Sequence, residues 1–572
     1  GEAIESMSDN PAESSSEANL ATRPPVNSKT YLPGRRFYGV ILVVTILGFV
    51  VQWKAEWIAE SFPFAGRALS NILILPLILI ALISWMRWFL FGSVYRWPAK
   101  VLVFLGIVSL PFLLKVEHSG DLFSLNVRLR MLAPDQLLAL PEVQGDAGNR
   151  TENLFAKSTP FGGMLGSDRS GTLPDVELSS WSEFPPELLW TKEVGAGWSG
   201  FSAARGLAFT QEQRGDQELV TAYDIRSGNV IWFHTETARH VEELGGIGPR
   251  ATPTIDGDQV FAQGATGILV CLELETGKLL WRRNVVEDVD STRADDAVSI
   301  LWGRSGSPWV EENLVIVPGG GRNQNFVSLI AYDRTTGEIV WKGGDQQISY
   351  SSPVGMTLDG QRQIVIVNES TVSGHDPQSG KQQWTHSRPG TSNTASNTSQ
   401  PQQVDEDHLL VSKGYGLGAE LLEIRNSEEG VSSVKSEWAS PRVLRTKLTS
   451  AIVHNDVAFG LNDGILECID LKDGSRLWKG KRYRHGQLLN VGKNLILLSE
   501  SGDLFLIPAS KEKSVSSQAV AALSGTTWNN LCLWGNYLLV RNARQAACFR
   551  LKFDSPNVQD AAEDPSESSA TE

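Results

Sequence analysis

Cysteine, methionine and histidine are scarce in this chain, at 4, 5 and 8 of 572 residues, and basic charge is in deficit. Four cysteines exclude a disulfide-dense scaffold. The histidines are scattered with no H-x-x-x-H pair and no Cys/His spacing, so no metal site of the zinc type is indicated. With 51 basic against 65 acidic residues the net charge is −14. That is the wrong sign for a protein that displaces counterions from a phosphate backbone, so nucleic acid is not an expected partner. What the chain has in plenty is Gly (53) and Trp (18), over a length that exceeds one ordinary core.

Residues 1–36 are rich in Ser, Glu, Asn and Pro and read as a disordered tail. The chain opens on Gly, and Met7 is a candidate start. Residues 37–116 hold three apolar runs, FYGVILVVTILGFVVQW, ALSNILILPLILIALISWMRWFLFG and VLVFLGIVSLPFLLKV, read as a membrane domain of three helices. The third is the weakest, with Pro111 inside it and Lys115 near its end. Arg35 and Arg36 precede the first run, and Arg87, Arg96 and Lys100 lie at or between the second and third. The positive-inside rule then puts the tail in the cytoplasm and everything after Val116 on the outer face of a bacterial inner membrane, in the periplasm. Trp53, Trp57, Trp85, Trp88 and Trp97 fall near run ends, where amphipathic rings favour the interface.

Residues 117–180 form a connecting segment, and a repeat begins after it. AYDIRSGNVIW, CLELETGKLLW, AYDRTTGEIVW, GHDPQSGKQQW and CIDLKDGSRLW align without gaps. Asp224, Glu273, Asp333, Asp376 and Asp470 each stand eight positions before Trp232, Trp281, Trp341, Trp384 and Trp478, with Gly228, Gly277, Gly337, Gly380 and Gly474 midway. The acid accepts backbone N–H bonds and Gly supplies positive φ, so each copy is a hairpin, and the Trp fills the gap between neighbouring sheets. A degenerate copy ends at Trp438. Trp190 lacks a hairpin partner before it, and AACFRLKF at the far end lacks a Trp; the strand around Leu188 to Val194 is expected to complete the last sheet and close a ring. Intervals of 40 to 60 residues fit four strands per unit, which predicts an all-β, eight-bladed propeller over residues 181–553, followed by an acidic disordered tail over 554–572. Phrases that put Ser or Thr near Pro, such as RATPTIDGDQVFAQ and SGSPWVEENLVIVP, precede the hairpins and are read as inner strands lining the channel.

This pattern, with GWSGFSAARGLAFTQEQRGDQELVTAYD, GPRATPTIDGDQVFAQGATGILVCL, LWGRSGSPWVEENLVIVPGGG and WKGKRYRHGQLL, resembles the pyrroloquinoline-quinone-like propeller repeat, in a membrane-anchored bacterial branch of planctomycete type. The repeat is shared by quinoprotein alcohol dehydrogenases and the propeller lipoprotein of the outer-membrane barrel-assembly machinery. FGGMLGSDRSGTLPD resembles the segment that leads into the family's propeller. Under the dehydrogenase resemblance the chain would hold pyrroloquinoline quinone with calcium, the quinone stacked under a disulfide between adjacent cysteines. No two cysteines are adjacent here. Cys271, Cys468 and Cys548 stand at the repeat position of Ala222, Ala331 and Gly374, a place for a small residue on a packed strand. No matching set of calcium ligands is found for the channel. Catalysis is therefore the less favoured reading.

G-x-G-x-x-G at Gly195, Gly197 and Gly200 has no βαβ context, and GRSGS at 303–307 fails the G-x-S-x-G spacing. The candidate ligand-binding residues are basic and aromatic side chains on or just before inner strands: Arg250, Arg304, Tyr350, Arg445, Lys447, Arg484, His485 and Trp528. Their cations either converge on an anionic or peptide ligand or bond neighbouring carbonyls and acids to close the ring. The expected function is a non-catalytic binding or assembly scaffold with a protein or peptide partner; a quinoprotein dehydrogenase oxidising alcohols or sugars and a ligand sensor are the alternatives. Trp198, Trp302 and Trp309 also lie outside both the repeat and the membrane runs, near the inner-strand phrases.

Overall fold

The computed structural model describes residues 30–62, 68–116, 127–129, 138–144, 160–174, 176–242, 245–426, 432–513 and 516–554. Most of the tail read over 1–36, the acidic tail from residue 555, and much of the connection over 117–159 lie outside them. The chain divides into two compact units, Gly1–Trp53 with Ile72–Leu110, and Lys54–Asn71 with Pro111–Glu572.

In the first unit the helices Arg35–Trp53 and Leu69–Gly92 are long and apolar enough to cross a membrane. The third run forms the helix Trp97–Leu113, which at 17 residues is shorter. Lys100 sits near its start and donates to the Leu90 and Ser93 carbonyls at 2.7 and 3.2 Å, satisfying acceptors that the end of the preceding helix leaves open.

The second unit is an eight-bladed β-propeller. Blade 1 comprises Ser202–Ala204, Leu207–Arg214, Gln217–Asp224 and Val230–Thr237, paired in chain order from inner to outer strand. Blades 2 to 6 repeat that meander, from Thr254–Asp256 as the inner strand of blade 2 to Arg476–Arg482 as the outer strand of blade 6. Blade 7 runs from Gln487–Val491 to Val520–Ala521 and gains a fifth strand, Thr172–Leu173, parallel to its inner edge. Blade 8 is built from both ends of the domain: Cys532–Trp534, Tyr537–Arg541 and Gln545–Arg550 are completed by Glu187–Glu193, with Trp190 opposite Cys548. The closure expected from the unpaired Trp190 is thus the one that forms. It matters because without Glu187–Glu193 the strand Gln545–Arg550 would be left as an unpaired edge.

The repeat residues act between blades. The hairpin glycines have φ near +70°, and a Cβ on Gly228, Gly277, Gly337, Gly380 or Gly474 would strike the ring of Trp190, Trp232, Trp281, Trp341 or Trp438 respectively, each from the preceding blade. The indole N–H of each Trp then donates to a turn carbonyl of the next blade, as from Trp190 to Ile225, Trp232 to Leu274 and Trp438 to Leu471, at 2.8 to 2.9 Å. Trp478 does the same to Ser510 at 3.0 Å, although blade 7 carries no copy of the motif. Trp384 departs from the pattern and donates within its own blade to Gln363 Oε1 at 2.6 Å. The turn acids cap their hairpins as expected: Asp224, for example, accepts from the Arg226 and Ser227 amides at 3.2 and 2.8 Å. Ala222, Cys271, Ala331, Gly374, Cys468 and Cys548 each pair across the ladder with a Trp, which is why that position is small. All four cysteines are free and buried.

The phrases rich in Ser, Thr and Pro form a belt rather than a simple channel lining. Backbone amides pass hydrogen bonds from blade to blade onto inner-strand side chains: Gly200 to Thr252 Oγ1, Thr252 to Ser307 Oγ, Ser307 to Ser352 Oγ, Ser352 to Gln400 Oε1, and Gln400 to Ser450 Oγ, at 2.9 to 3.2 Å. Gln487 continues the circuit to the Leu448 and Trp528 carbonyls, and Asn529 to that of Ser199. These hydroxyls satisfy amides that have no further strand to pair with.

Between blades 1 and 2, burial pushes the Glu218 carboxyl up from 4.5 to about 7, partly opposed by the Ala265 amide and by Arg250. A carboxyl whose folded value lies above its unfolded one binds its proton more tightly when folded. Its stabilising share is full in acid and is lost as pH rises from about 4.5 to about 7. Glu218→Gln should remove this dependence and gain about 3 kcal/mol over the native chain above neutrality. Denaturant midpoints measured from pH 4.5 to 8 test it, and parallel pH profiles for the two chains would refute it.

Candidate functional site

One end of the channel, on the side where each outer strand leads into the next inner strand, is a mouth built from the loops just before the inner strands. All eight sequence-derived residues lie on these loops, and the structure shows what each one touches.

Arg250 is held by carbonyls alone, donating to Trp302 O at 2.7 Å, to Gly245 O and Gly246 O at 2.9 and 3.0 Å, and to Gly248 O. Burial lowers its pKa to about 10, and it stays a cation at neutral pH. Arg304 is 1% exposed; it pairs with Asp296 at 2.7 Å and donates to Gly319 O at 2.7 Å. It thereby fastens the helix Arg293–Ser299, an insertion between blades 2 and 3, to the propeller. Arg445 and Lys447 both face the buried Asp463, at 3.1 and 3.6 Å, and the Lys447 ammonium also lies over the Tyr415 ring. His485 is buried, with its amide on Glu500 Oε2 at 3.1 Å, whereas its neighbour Arg484 is exposed and has positive φ. Most of these cations therefore have partners within the protein.

The aromatic residues form two stacked pairs that Arg250 bridges into an arc. Trp528 packs on Trp198 with ring centroids 4.6 Å apart. Trp198 Nε1 donates to Gly245 O, the carbonyl that Arg250 also bonds. Arg250 leads to Trp302, whose ring lies 5.3 Å from Tyr350 and whose amide donates to the Tyr350 hydroxyl at 3.3 Å. Burial pushes the Tyr350 hydroxyl well above its ordinary range. The arc draws on blades 8, 1, 2, 3 and 4. Trp198, Trp302 and Trp528 are half-buried, while the indole N–H groups of Trp302 and Trp528 are themselves buried and have no hydrogen-bond partner among the described residues. Trp528 and Tyr350 are among the candidate residues expected from sequence, whereas Trp198 and Trp302 are marked there only by standing outside the repeat. Trp309 belongs elsewhere, beside Arg169 below the belt.

A quinone with calcium would need free carboxylates and amides at this mouth. Asp463 faces two cations but accepts no hydrogen bond on either oxygen among the described residues, Glu500 accepts from the His485 amide, and Glu369 accepts from the Ser392 amide at 2.8 Å. Among the described residues the group with metal-ligand spacing, Asp405, Asp407 and His408, lies on the turn joining the first two strands of blade 5, away from the mouth. Cys271 and Cys468 lie in different blades, their thiols pushed up to about 12 by burial. Among the described residues, no group with metal-ligand spacing lies at the mouth.

Residues 178–480 match the family described as outer membrane protein assembly factor BamB. The chain belongs to that family. A BamB from Kangiella koreensis is 26% identical over 176 residues, covering 30% of this chain and 37% of the relative. Quinohemoprotein alcohol dehydrogenase ADH IIB from Pseudomonas putida is 26% identical over 143 residues, covering 23% and 19%. The chain thus spans well under half the length of either curated relative. Among solved structures, BamB from Moraxella catarrhalis aligns with 64% of this chain and 98% of its own length, at 14% identity and a TM-score of 0.43. The family is that of the PQQ-like propeller, as the repeat motif implies.

Proposed function

We propose that this BamB-family chain is a bacterial inner-membrane protein that displays its propeller in the periplasm as a non-catalytic binding or assembly scaffold, with the mouth as its contact surface for a protein or peptide partner. The observation that carries this reading is the pair of aromatic stacks at the mouth, Trp528 on Trp198 and Trp302 on Tyr350, in which the three Trp rings are half-buried and Tyr350 is buried behind Trp302. Trp and Tyr in such settings contribute large apolar area and a polar edge at little entropic cost, the usual character of residues that dominate protein interfaces. Internal pairing of the cations supports a peptide or protein surface over a small anion. The dehydrogenase alternative draws on the ADH IIB likeness.

A photo-crosslinking residue at the exposed Arg484 should capture a defined protein in native membranes, and Trp528→Ala should reduce that capture about tenfold or more. Capture of the same protein at unchanged yield would remove the arc from the interface. Titration of the detergent-solubilised chain with pyrroloquinoline quinone and calcium, followed by dye reduction with an alcohol, decides the alternative: turnover would overturn the scaffold reading. Protease treatment of spheroplasts should degrade the propeller, and degradation of the N-terminal tail alone would reverse the orientation.

A further inference from the structure

The segment Pro160–Leu173, which the sequence reading placed in the connection, runs along the inner strands two or three residues beyond the belt, on the side away from the mouth. Phe161 exchanges backbone hydrogen bonds with Ala203 of blade 1 at 3.0 Å, and Gly162 O accepts from Ile255 of blade 2 at 2.7 Å. Gln402 of blade 5 donates to Arg169 O at 3.3 Å, Thr172 Oγ1 to Val453 O of blade 6 at 3.3 Å, and Asn490 of blade 7 to Gly171 O at 2.8 Å.

The Arg169 side chain makes further contacts. Its guanidinium donates to Ser307 O at 3.1 Å and to Pro308 O in blade 3, to Pro353 O in blade 4, and at 3.5 Å to Thr254 Oγ1 of blade 2. It also lies 5.2 Å from the centre of the Trp309 ring. Arg169 is 2% exposed, and none of the ion pairs among the described residues includes it. Three main-chain carbonyls, a hydroxyl and one aromatic face therefore surround a buried cation that has no counter-ion among the described residues. Burial brings its pKa down to about 9, which leaves it charged at neutral pH. Inner-strand carbonyls facing a propeller axis have no neighbouring strand and otherwise need water, so a planar, multi-donor cation is the group that satisfies several at once.

We propose that the channel beyond the belt is a cation site built of backbone carbonyls from blades 3 and 4, selective for a guanidinium group and filled in cis by Arg169, so that Pro160–Leu173 plugs the axis and leaves the mouth a blind pocket. This assignment does not rest on the scaffold reading.

Hydrogen exchange of the full chain in detergent micelles tests it, read on peptides covering 305–311 and 350–356. Arg169→Ala should speed exchange there by about tenfold or more, the effect expected for loss of several charge-assisted bonds. Low-millimolar guanidinium should then restore protection, whereas equal sodium chloride or urea should not. Unchanged exchange in the variant, or restoration by sodium chloride as effective as by guanidinium, would overturn the site. Arg169→Lys, which keeps the charge but not the planar fork, covers a failure of the alanine variant to fold. It should exchange faster than the native chain at both peptides, and native-like exchange would equally overturn the proposal.

Discussion

Glu212→Leu should cost about 3–5 kcal/mol of stability, because it leaves buried cations unpaired at the seam where the ring closes. The Glu212 carboxylate is fully buried; it pairs with Arg214 at 3.1 Å and accepts from the Thr221 and Tyr223 hydroxyls at 2.7 Å and from the Gly195 amide. Arg541, from blade 8, comes to the same place and donates to Thr210 Oγ1 at 2.6 Å, Gln211 O at 2.9 Å and Gly195 O at 3.0 Å. Burial alone would raise the Glu212 pKa, but Arg214, Arg541, the Tyr223 hydroxyl and the Gly195 amide outweigh it and hold the carboxyl below its ordinary value. A carboxyl lowered on folding stabilises above its unfolded pKa, and that share is lost as pH falls through the folded one. Glu212→Gln and the native chain should accordingly converge in acid. Urea unfolding followed by Trp fluorescence measures both effects, and a loss under about 1 kcal/mol for Glu212→Leu at neutral pH would show that the network does not secure the seam.

Trp232→Ala carries the second large effect, about 3–5 kcal/mol, from the cavity left between blades 1 and 2 and from the lost bond to Leu274 O. A cycle with Gly277→Ala sharpens the test. Gly277 has φ +70° and its missing Cβ would collide with the Trp232 ring, so the Ala variant is both strained and overpacked in the native background. With Trp232 already replaced, the collision disappears and only the backbone strain, about 1 kcal/mol, should remain. Additive costs would mean that the ring and the glycine are not coupled across the blades.

Much of the fold was legible in local pattern. The acid, Gly and Trp spacing marks a hairpin because turn chemistry and strand alternation are short-range, and a repeated hairpin with one unmatched Trp at the start implies a closed ring. The exception at Trp384 was not legible. Its motif reads like the others, but blade 5 carries the degenerate copy, without the acid and Gly at the standard spacing, and nothing in the segment around Trp384 reports that. The candidate mouth was legible only as a set of residue types. Whether Arg304, Arg445 and Lys447 are free for a ligand depends on Asp296, Asp463 and the Gly319 carbonyl, and no spacing rule marks those as partners.

The sequence by itself determined the repeat, the blade number, the closing strand and three apolar helices, of which two have the length to cross a membrane, because each follows from periodicity or composition within a few dozen residues. Only the tertiary structure decided that most of the mouth's cations are internally paired, that four aromatic side chains and Arg250 join into an arc across five blades, and that Arg169 meets blades 2, 3 and 4. Those outcomes depend on carbonyls and side chains brought together from blades far apart in the chain. A backbone carbonyl, present at every position, leaves no mark in the sequence to show which cation it will meet.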